Sequence, residues 1–289
     1  MALGDDVKGV AVDLARLILP RRARQAVYGV LAIARVSKPV TRLLGPTHRT
    51  NQKRIEIILT FECDLMCVDC SIQCKQAPSR EQMNVDQICR FIEESVAQQR
   101  RWEIIRLIGG EPTLHPSLSE ILESLAAYKR DFSPLTKVEL CTNGYRSCVQ
   151  EIVARVPAGI EVDNSRKTSP FQKHHVCVNN APLDHSIHRY SDYSNGCSVC
   201  VSQGMGLSPY GYYHCNVAAA IDRVFGVDLG RKTLPAEGDG TLDSSCELCR
   251  YCGFFPRRKR DRSEPGYVSR TWRLVLEKYF KQAPAMTRY

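Results

Sequence analysis

The chain has 289 residues, which is enough for one large domain or for one domain with a small appendage. Its apolar fraction of 43% and charged fraction of 25% are those of a soluble globular protein, and no apolar run is long enough for a transmembrane helix. Acidic residues near the N-terminus, Asp5, Asp6 and Asp13, exclude a signal peptide, so we expect a cytoplasmic protein without a membrane partner. The moderate net charge of +9 indicates a solvated basic surface, and we expect no nucleic-acid partner.

Residues 1–50 are expected to form a basic helical appendage. Apolar residues recur with helical spacing from Val7 to Leu19 and from Gln25 to Val36, and both Pro39 and the Gly45-Pro46 pair favour an end to helical structure. We expect the apolar faces of these helices to pack on the main domain.

From Arg54 onward, strand and helix patterns alternate. The predicted strands are Arg54–Phe61, Trp102–Ile108, Lys137–Cys141 and Gly159–Asp163, and the predicted helices are Asn84–Gln99, Ser117–Tyr128 and Ser147–Val156. This order predicts an α/β fold in which a parallel sheet carries helices on its outside. Such sheets bind their ligands at the C-terminal ends of the strands, where the polar and glycine-rich segments of this chain fall.

After about residue 180 the alternation stops. Two cysteines, the turn Ser208–Gly211 and an aromatic strand Tyr212–His214 come first, a cysteine-rich segment follows, and the chain ends with a basic run Arg257–Arg262 and a predicted helix Ser269–Phe280. We therefore expect a small domain assembled on metal. The predicted units are an appendage at 1–50, the main domain at 51–195, the cysteine-rich domain at 196–255 and the tail at 256–289.

Fourteen cysteines are many for a chain without a secretion signal, and in a reducing compartment they favour metal binding over disulfides. They form an early group of three and a late group of six, the latter being Cys197, Cys200, Cys215, Cys246, Cys249 and Cys252. Scattered cysteines such as Cys89 and Cys148 are expected to be small buried apolar residues.

The early group, Cys63, Cys67 and Cys70, follows the first predicted strand. Three thiols so close can hold three corners of an iron–sulfur cube and leave one iron without a protein ligand. A closed zinc site that takes Cys74 as its fourth ligand is the alternative.

A second motif, Gly109-Gly110-Glu111-Pro112, follows the next predicted strand. The two glycines let the backbone approach a ligand closely. The carboxylate of Glu111 could pair with an ammonium group.

The two motifs in this order resemble those of the radical S-adenosylmethionine (SAM) enzymes, over roughly residues 53 to 180. The resemblance implies a partial (β/α)6 parallel barrel and a [4Fe–4S] cluster on the early cysteines, with AdoMet on the open iron. It implies that an electron from a donor such as flavodoxin or ferredoxin cleaves AdoMet, and that the resulting 5′-deoxyadenosyl radical removes a hydrogen atom from the substrate.

The same resemblance implies that Gly109, Gly110, Glu111 and Pro112 receive the methionine ammonium group. Further AdoMet contacts are implied for Thr142 and Asn143 after the third strand and for Ser165 after a later one. Asp69 departs from the family, which usually has an aromatic residue before the third cysteine.

The late cysteines resemble the small accessory domains of this family called SPASM or, when shortened, twitch. A twitch-like domain implies one auxiliary [4Fe–4S] cluster, for which we favour Cys197, Cys215, Cys246 and Cys252, and a structural zinc is the alternative. Of the two thiols left over, we expect Cys249, with Cys200 next, to donate a hydrogen atom to a substrate radical.

In length and cysteine layout the chain resembles the radical SAM enzymes of aminoglycoside antibiotic pathways. This implies an epimerase that inverts one carbon of an amino sugar. The alternatives are a twitch-type alcohol dehydrogenase of aminocyclitol synthesis and an enzyme that modifies ribosomal peptides. A cationic aminoglycoside needs carboxylates in its pocket, and the candidates are Glu139, Asp163, Asp184 and Asp192.

Overall fold

The computed structural model describes residues 20–172, 176–239, 242–256 and 264–289. The predicted helix Val7–Leu19 and the basic run Arg257–Arg262 lie outside these ranges. Among the described residues, no helix is both long enough and apolar enough to cross a membrane.

The centre of the molecule is a mixed sheet of six strands in the order β4-β3-β2-β1-β5-β6. Its strands are β1 Arg54–Ile58, β2 Ile104–Ile108, β3 Lys137–Thr142, β4 Ile160–Asn164, β5 Met205–Ser208 and β6 Gly211–Tyr213. The first five run parallel and β6 is antiparallel to β5. The mostly parallel α/β sheet that the strand–helix alternation predicts is therefore present.

The described helices connect and flank these strands. They are α1 Arg21–Arg35, α2 Lys38–Leu44, α3 Val85–Ala97, α4 Leu118–Asp131, α5 Ser147–Val153, α6 Ser198–Ser202, α7 Asn216–Phe225, α8 Leu242–Leu248 and α9 Arg270–Lys281. Helix α3 begins with a capping box, in which Asn84 and Gln87 each bond the other's backbone N–H.

Two apolar cores stabilise the sheet. The first lies between the sheet and helices α3 and α4, where Ile57, Leu107 and Leu140 meet Phe91 and Leu122. The second lies around α7 and α9 and includes Ile221 and Trp272. Burial of one Leu or Ile side chain contributes about 1.5–3 kcal/mol, so both cores stabilise the fold.

The hairpin β5–β6 joins the main sheet, although we expected its aromatic strand in a separate cysteine-rich domain. Strand β5 pairs with β1 in parallel, with Glu56 opposite Gly206. A side chain at Gly206 would overlap the backbone of Cys215 and Asn216, so glycine allows α7 to pack directly on β5.

Sequence patterns missed helices α2, α6, α7 and α8. Pro39, which we expected to end helical structure, lies in the first turn of α2, where a missing N–H costs no hydrogen bond. Helix α7 is buried from Asn216 to Val224 and has no solvent face. Its charged residues Asp222 and Arg223 are buried together with the apolar ones, so burial here does not follow the division into polar and apolar residues. Cys148, expected to be buried, is exposed because Val149 takes the inner face of α5.

Candidate active site

The early cysteines lie in the loop that leaves the C-terminal end of β1, and all three are half-buried. The loop is held by backbone hydrogen bonds from Met66 N–H to Pro170 O (2.6 Å) and from Val68 N–H to Gln172 O (2.8 Å). These bonds place Cys63, Cys67 and Cys70 together at one edge of the sheet.

The thiols of this loop act on one another electrostatically. Burial and the neighbouring Cys70 and Cys67 raise the pKa of Cys63 to about 12. Cys74, the candidate fourth zinc ligand, donates its thiol hydrogen bond to Cys70 and so lowers the pKa of Cys70 below its usual value. Within the described ranges, no three His, Cys, Asp or Glu side chains are arranged to hold a single metal ion.

Asp69, the departure from the family pattern, is almost completely buried inside this loop. It has φ +59°, in the left-handed region that Asp tolerates better than most residues. Its Oδ2 accepts hydrogen bonds from Gly266 N–H (2.9 Å) and from the Cys177 thiol (3.7 Å). Asp69 thus fixes the loop to two distant segments, which no local sequence signal could reveal.

The glycine motif connects the end of β2 to the cysteine loop. Gly110 N–H donates to Thr60 O and Glu111 N–H donates to Glu62 O, both at 2.8 Å. A side chain at Gly110 would overlap the carbonyl group of Glu62 and the Cβ of Cys63. Glycine is therefore required here for the two backbones to lie in contact.

The carboxylate of Glu111 is fully buried and already has several partners. Its Oε1 accepts from Thr113 N–H (3.1 Å), Thr113 Oγ1 (2.7 Å) and Thr142 Oγ1 (2.7 Å). Its Oε2 accepts from Asn143 N–H at 2.7 Å. Because a carboxylate oxygen accepts about two hydrogen bonds well, only Oε2 keeps room for a ligand ammonium group.

The remaining predicted AdoMet residues lie at the same sheet edge. Asn143 Nδ2 donates to Asp64 Oδ1 at 2.7 Å, which links the end of β3 to the cysteine loop. The hydroxyl of Ser165 donates to Thr142 O at 3.1 Å. The other carboxylate oxygen of Asp64 is buried without a hydrogen bond, with Arg146 Nε 3.5 Å away. This oxygen is paired with Arg146 but accepts no hydrogen bond, so it has room for a donor from a ligand that carries ammonium or hydroxyl groups, as AdoMet does.

The late cysteines line a second, small cavity of about 10 Å³. The thiol and imidazole side chains that line it, beside apolar residues, are those of Cys197, Cys200, His214, Cys215, Cys249 and Cys252. The structure therefore brings together three of the four predicted auxiliary ligands with Cys200 and Cys249. It places the fourth, Cys246, outside this cavity, with its side chain exposed in a neighbouring groove beside Arg250.

Cys215 lies at the N-terminus of α7, where its sulfur accepts a hydrogen bond from Ala218 N–H at 3.4 Å. This hydrogen bond lowers the pKa of the Cys215 thiol, but burial and the neighbouring Cys197 and Cys252 outweigh it and hold the pKa well above its usual value. The donor set, several buried thiols around one cavity, fits an auxiliary cluster.

His214 is a functional candidate that the sequence analysis missed. Its Nε2 lies 3.3 Å from Cys249 Sγ and its Nδ1 lies 3.0 Å from Ser244 Oγ. Burial lowers the pKa of His214 to about 4, so the ring is neutral at pH 7. The sequence feature that could have identified His214 is its position directly before Cys215, at the end of the aromatic strand.

Of the four carboxylates expected to contact a cationic substrate, two lie on the sheet and two do not. Glu139 and Asp163 project from β3 and β4 and both bond Arg106 at 2.8 Å. Asp184 accepts from Thr271 at the start of α9, and Asp192 accepts from Ser194 N–H in a short 3-10 helix. Both bond local structure, and Asp192 also lines an open groove with Arg189 and Arg250, so a substrate contact for these two residues stays a prediction.

No protein-family model matches the chain. Two curated relatives are GTP 3′,8-cyclases. That of Mannheimia succiniciproducens is 31% identical over 108 residues, which are 37% of this chain and 30% of the relative. That of Synechococcus sp. (strain WH7803) is 32% identical over 111 residues, which are 37% of this chain and 31% of the relative. The chain thus spans less than a third of the length of either relative.

Two solved structures show a weak likeness. BtrN in complex with AdoMet and 2-DOIA is 12% identical, with 77% of this chain and 100% of that chain covered and a TM-score of 0.39. Streptococcus suis SuiB bound to its precursor peptide SuiA is 23% identical, with 47% and 28% covered and a TM-score of 0.27. At such TM-scores the structural likeness carries no conclusion about this chain. The sequence likeness to the cyclases, with the cysteine and glycine motifs at one sheet edge, supports the radical SAM family, with a [4Fe–4S] cluster and AdoMet as cofactors.

Proposed function

We propose that this chain is a radical SAM epimerase that inverts one carbon of an aminoglycoside sugar, as in the conversion of neomycin C to neomycin B. The observation that carries the proposal is the number of thiols at the second cavity. Five cysteines line it, and an iron–sulfur cube takes four. One thiol is therefore left to act on the substrate.

In this proposal the cofactor of the first site supplies hydrogen-atom abstraction from an unactivated carbon. Cys63, Cys67 and Cys70 hold the cluster. Gly110 lies against the cysteine loop at Glu62 and Cys63. In the proposal it receives the methionine part of AdoMet together with Gly109 and Pro112, and Oε2 of Glu111 accepts the ammonium group. Asn143 and Ser165 lie at the ends of β3 and β4, where they can contact the rest of the nucleoside.

For the auxiliary cluster we propose Cys197, Cys215 and Cys252 as three of the ligands. The fourth is Cys200 or Cys246. The position of Cys200 on the cavity wall and the exposure of Cys246 favour Cys200. Cys249 then keeps its S–H group.

Cys249 completes the inversion by donating its hydrogen atom to the opposite face of the substrate radical. The S–H bond breaks, the new C–H bond forms, and a sulfur-centred radical remains. One electron and one proton restore the thiol, and we propose that a flavodoxin- or ferredoxin-type donor supplies the electron. The substrate is neither oxidised nor reduced overall, because the hydrogen atom that it loses is replaced.

The experiment is turnover of neomycin C by the anaerobically reconstituted protein in heavy water. Because a thiol exchanges its hydrogen with solvent, we expect one deuterium at the inverted carbon of the neomycin B product. The Cys249→Ala variant should still form 5′-deoxyadenosine and give no neomycin B. Cys148→Ala, which changes an exposed thiol on α5, is the matched control and should retain full activity. Normal inversion by Cys249→Ala would reject the donor assignment.

The same assay separates the alternatives. A product that has lost two electrons would indicate the twitch-type alcohol dehydrogenase of aminocyclitol synthesis. No reaction with any aminoglycoside, but modification of a precursor peptide, would indicate a peptide-modifying enzyme.

A further inference from the structure

Strands β1 to β4 carry charged residues on the face that turns away from helices α3 and α4. The register places Glu56 opposite Arg106, Arg106 opposite Glu139 and Glu139 opposite Glu161. Their neighbours along each strand, such as Leu107 and Leu140, point to the apolar core on the other side. The charged residues therefore form one continuous row across four strands.

Arg106 is the centre of this row. Its guanidinium group donates to Glu56 Oε1, Glu139 Oε2 and Asp163 Oδ2, each at 2.8 Å. Lys137 bonds Glu139 Oε1 at 2.5 Å and Glu161 Oε2 at 3.0 Å. Each of these carboxylates is therefore paired with Arg106 or Lys137.

The row is buried at β1 and open at β4. The side chain of Glu56 is 2% exposed, that of Glu139 is 13% exposed and that of Asp163 is 56% exposed. Parallel sheets are normally covered on both faces. An open, charged face on such a sheet is therefore a place for a ligand to lie.

The buried end of the row contains an unsatisfied polar group. Asn216, at the start of α7, is 4% exposed, and its amide nitrogen donates to Glu56 Oε2. Its Oδ1 is also buried and has no hydrogen-bond partner among the described residues. Such an acceptor beside a carboxylate is costly unless a donor arrives from a ligand or a water.

The row has the charge that an amino sugar requires. Its carboxylates are Glu56, Glu139, Glu161 and Asp163, and its cations are Arg54, Arg106 and Lys137. By formal charge one negative charge is in excess, although burial raises the pKa of Glu56 and the whole chain carries +9. Ammonium and hydroxyl groups are all hydrogen-bond donors, and carboxylates are acceptors.

The row also lies next to the candidate active site. Cys141 and Asp163 pair across β3 and β4, and one residue further along these strands come Thr142 and Asn164. Thr142 donates to Glu111 in the AdoMet motif. A ligand on the open half of the row would thus reach the edge at which the chemistry takes place.

We propose that this face is the substrate subsite, with Glu139 and Asp163 as the residues that select the ammonium and hydroxyl groups of an amino sugar. The inference rests on the proposed function in taking an amino sugar as the substrate class. It goes further in naming the side chains that recognise it and in giving Arg106 the role of positioning them.

The test is calorimetric binding of neomycin B to the anaerobically reconstituted protein, with the neutral trisaccharide raffinose as a second probe. We expect Asp163→Asn and Glu139→Gln each to weaken neomycin B binding by about tenfold, as for the loss of a charge-assisted hydrogen bond. The wild-type protein should bind neomycin B more weakly as salt rises, and raffinose much more weakly than neomycin B.

Glu103→Gln is the matched control. Glu103 is as exposed as Asp163, pairs with Lys53 at 3.5 Å and lies just before β2, at the end of the sheet away from the cysteine loop. The Glu103→Gln substitution removes the same charge and should change the affinity for neomycin B by less than about twofold. Iron content and melting temperature verify that each variant is folded. If Glu139→Gln does not fold, the result for Asp163→Asn, which alters an exposed side chain, decides the test.

The outcomes separate this inference from the proposed function. Affinities within about twofold of wild type for both variants would overturn the inference even if neomycin C is converted. Charge-dependent neomycin B binding without any turnover would uphold the subsite and reject the epimerase. Equal affinities of the wild-type protein for raffinose and neomycin B would also overturn the proposed subsite.

Discussion

The carboxylate of Asp69 accepts a hydrogen bond from the backbone N–H of Gly266 at 2.9 Å, across 197 residues of chain. This bond ties the loop of the early cysteines to the segment that leads into α9. A side chain added at Gly266 would lie 3.3 Å from Val68, so the two segments are in close contact. The geometry of the first site thus depends on the C-terminal part of the chain.

We predict that Asp69→Ala loosens the cysteine loop. Alanine leaves the N–H of Gly266 without its acceptor and adopts φ +59° less readily than Asp, so the free energy of unfolding should fall by about 1–3 kcal/mol. The reconstituted variant should hold less iron than wild type. Asp69→Asn keeps an acceptor and the left-handed preference, and it should retain most of the iron. Equal iron contents in all three proteins would show that the contact has no such role.

Iron counting tests the two cysteine groups. We expect about eight irons per chain in the wild type and about four after triple replacement of Cys63, Cys67 and Cys70 by Ala, since each cube holds four. Cys200→Ala should also lose about four irons. Cys246→Ala should keep about eight, because its side chain is exposed outside the cavity. The reverse result for these two variants would restore Cys246 as the fourth auxiliary ligand.

Glu111→Gln tests the buried carboxylate that joins β2 to β3. The amide presents an NH₂ group to donors that now face a carboxylate oxygen, so at least one of the four hydrogen bonds is lost and a buried donor is left unmatched. We expect the free energy of unfolding of the cluster-free protein to fall by about 3 kcal/mol in denaturant titrations. Glu120→Gln, on the exposed face of α4, is the control and should change it by less than about 0.5 kcal/mol. A cluster-free measurement reports this structural role separately from AdoMet binding.

Asp184 should make stability depend on pH at the start of α9. Burial raises its pKa, but hydrogen bonds from Ser269 and Thr271 outweigh this and hold the pKa below its usual value. A depressed carboxyl pKa stabilises the fold above the unfolded-state pKa of about 3.9, and this contribution is lost as the pH falls through the folded-state pKa. Asp184→Ala should therefore lower the melting temperature at pH 7 and match wild type at the lowest pH at which both fold.

The effect should correspond to no more than about 1 kcal/mol, because the side chain of Asp184 is exposed and solvent screens it. Thermal melts of the two proteins across the acid range provide the measurement. A gap that stays constant with pH would mean that the carboxylate charge does not contribute.

Local sequence patterns predicted the strands and helices whose environment is decided by neighbouring residues along the chain. The alternation from Arg54 to Asp163 predicted β1 to β4 and helices α3 to α5, because each has one buried face and a turn or cap at its ends. The early cysteines and Gly109-Gly110 were found because both motifs are short and contiguous. Strand β5 pairs with β1, 150 residues earlier in the chain, so its place in the sheet has no such local signal.

By itself, the sequence determined the kind of chemistry: grouped thiols after one strand, two glycines and a carboxylate after the next, and six more thiols near the end. Spacing fixes which atoms are available, and chemistry fixes which cofactors they suit. Only the tertiary structure decided which residues contact one another. It showed that Asp69 binds Gly266, that Glu111 is largely occupied by Thr113, Thr142 and Asn143, and that Cys249 lies in the cavity while Cys246 does not. The physical reason is that burial and hydrogen bonding depend on segments far apart in the chain, and their meeting is decided by packing of the whole fold.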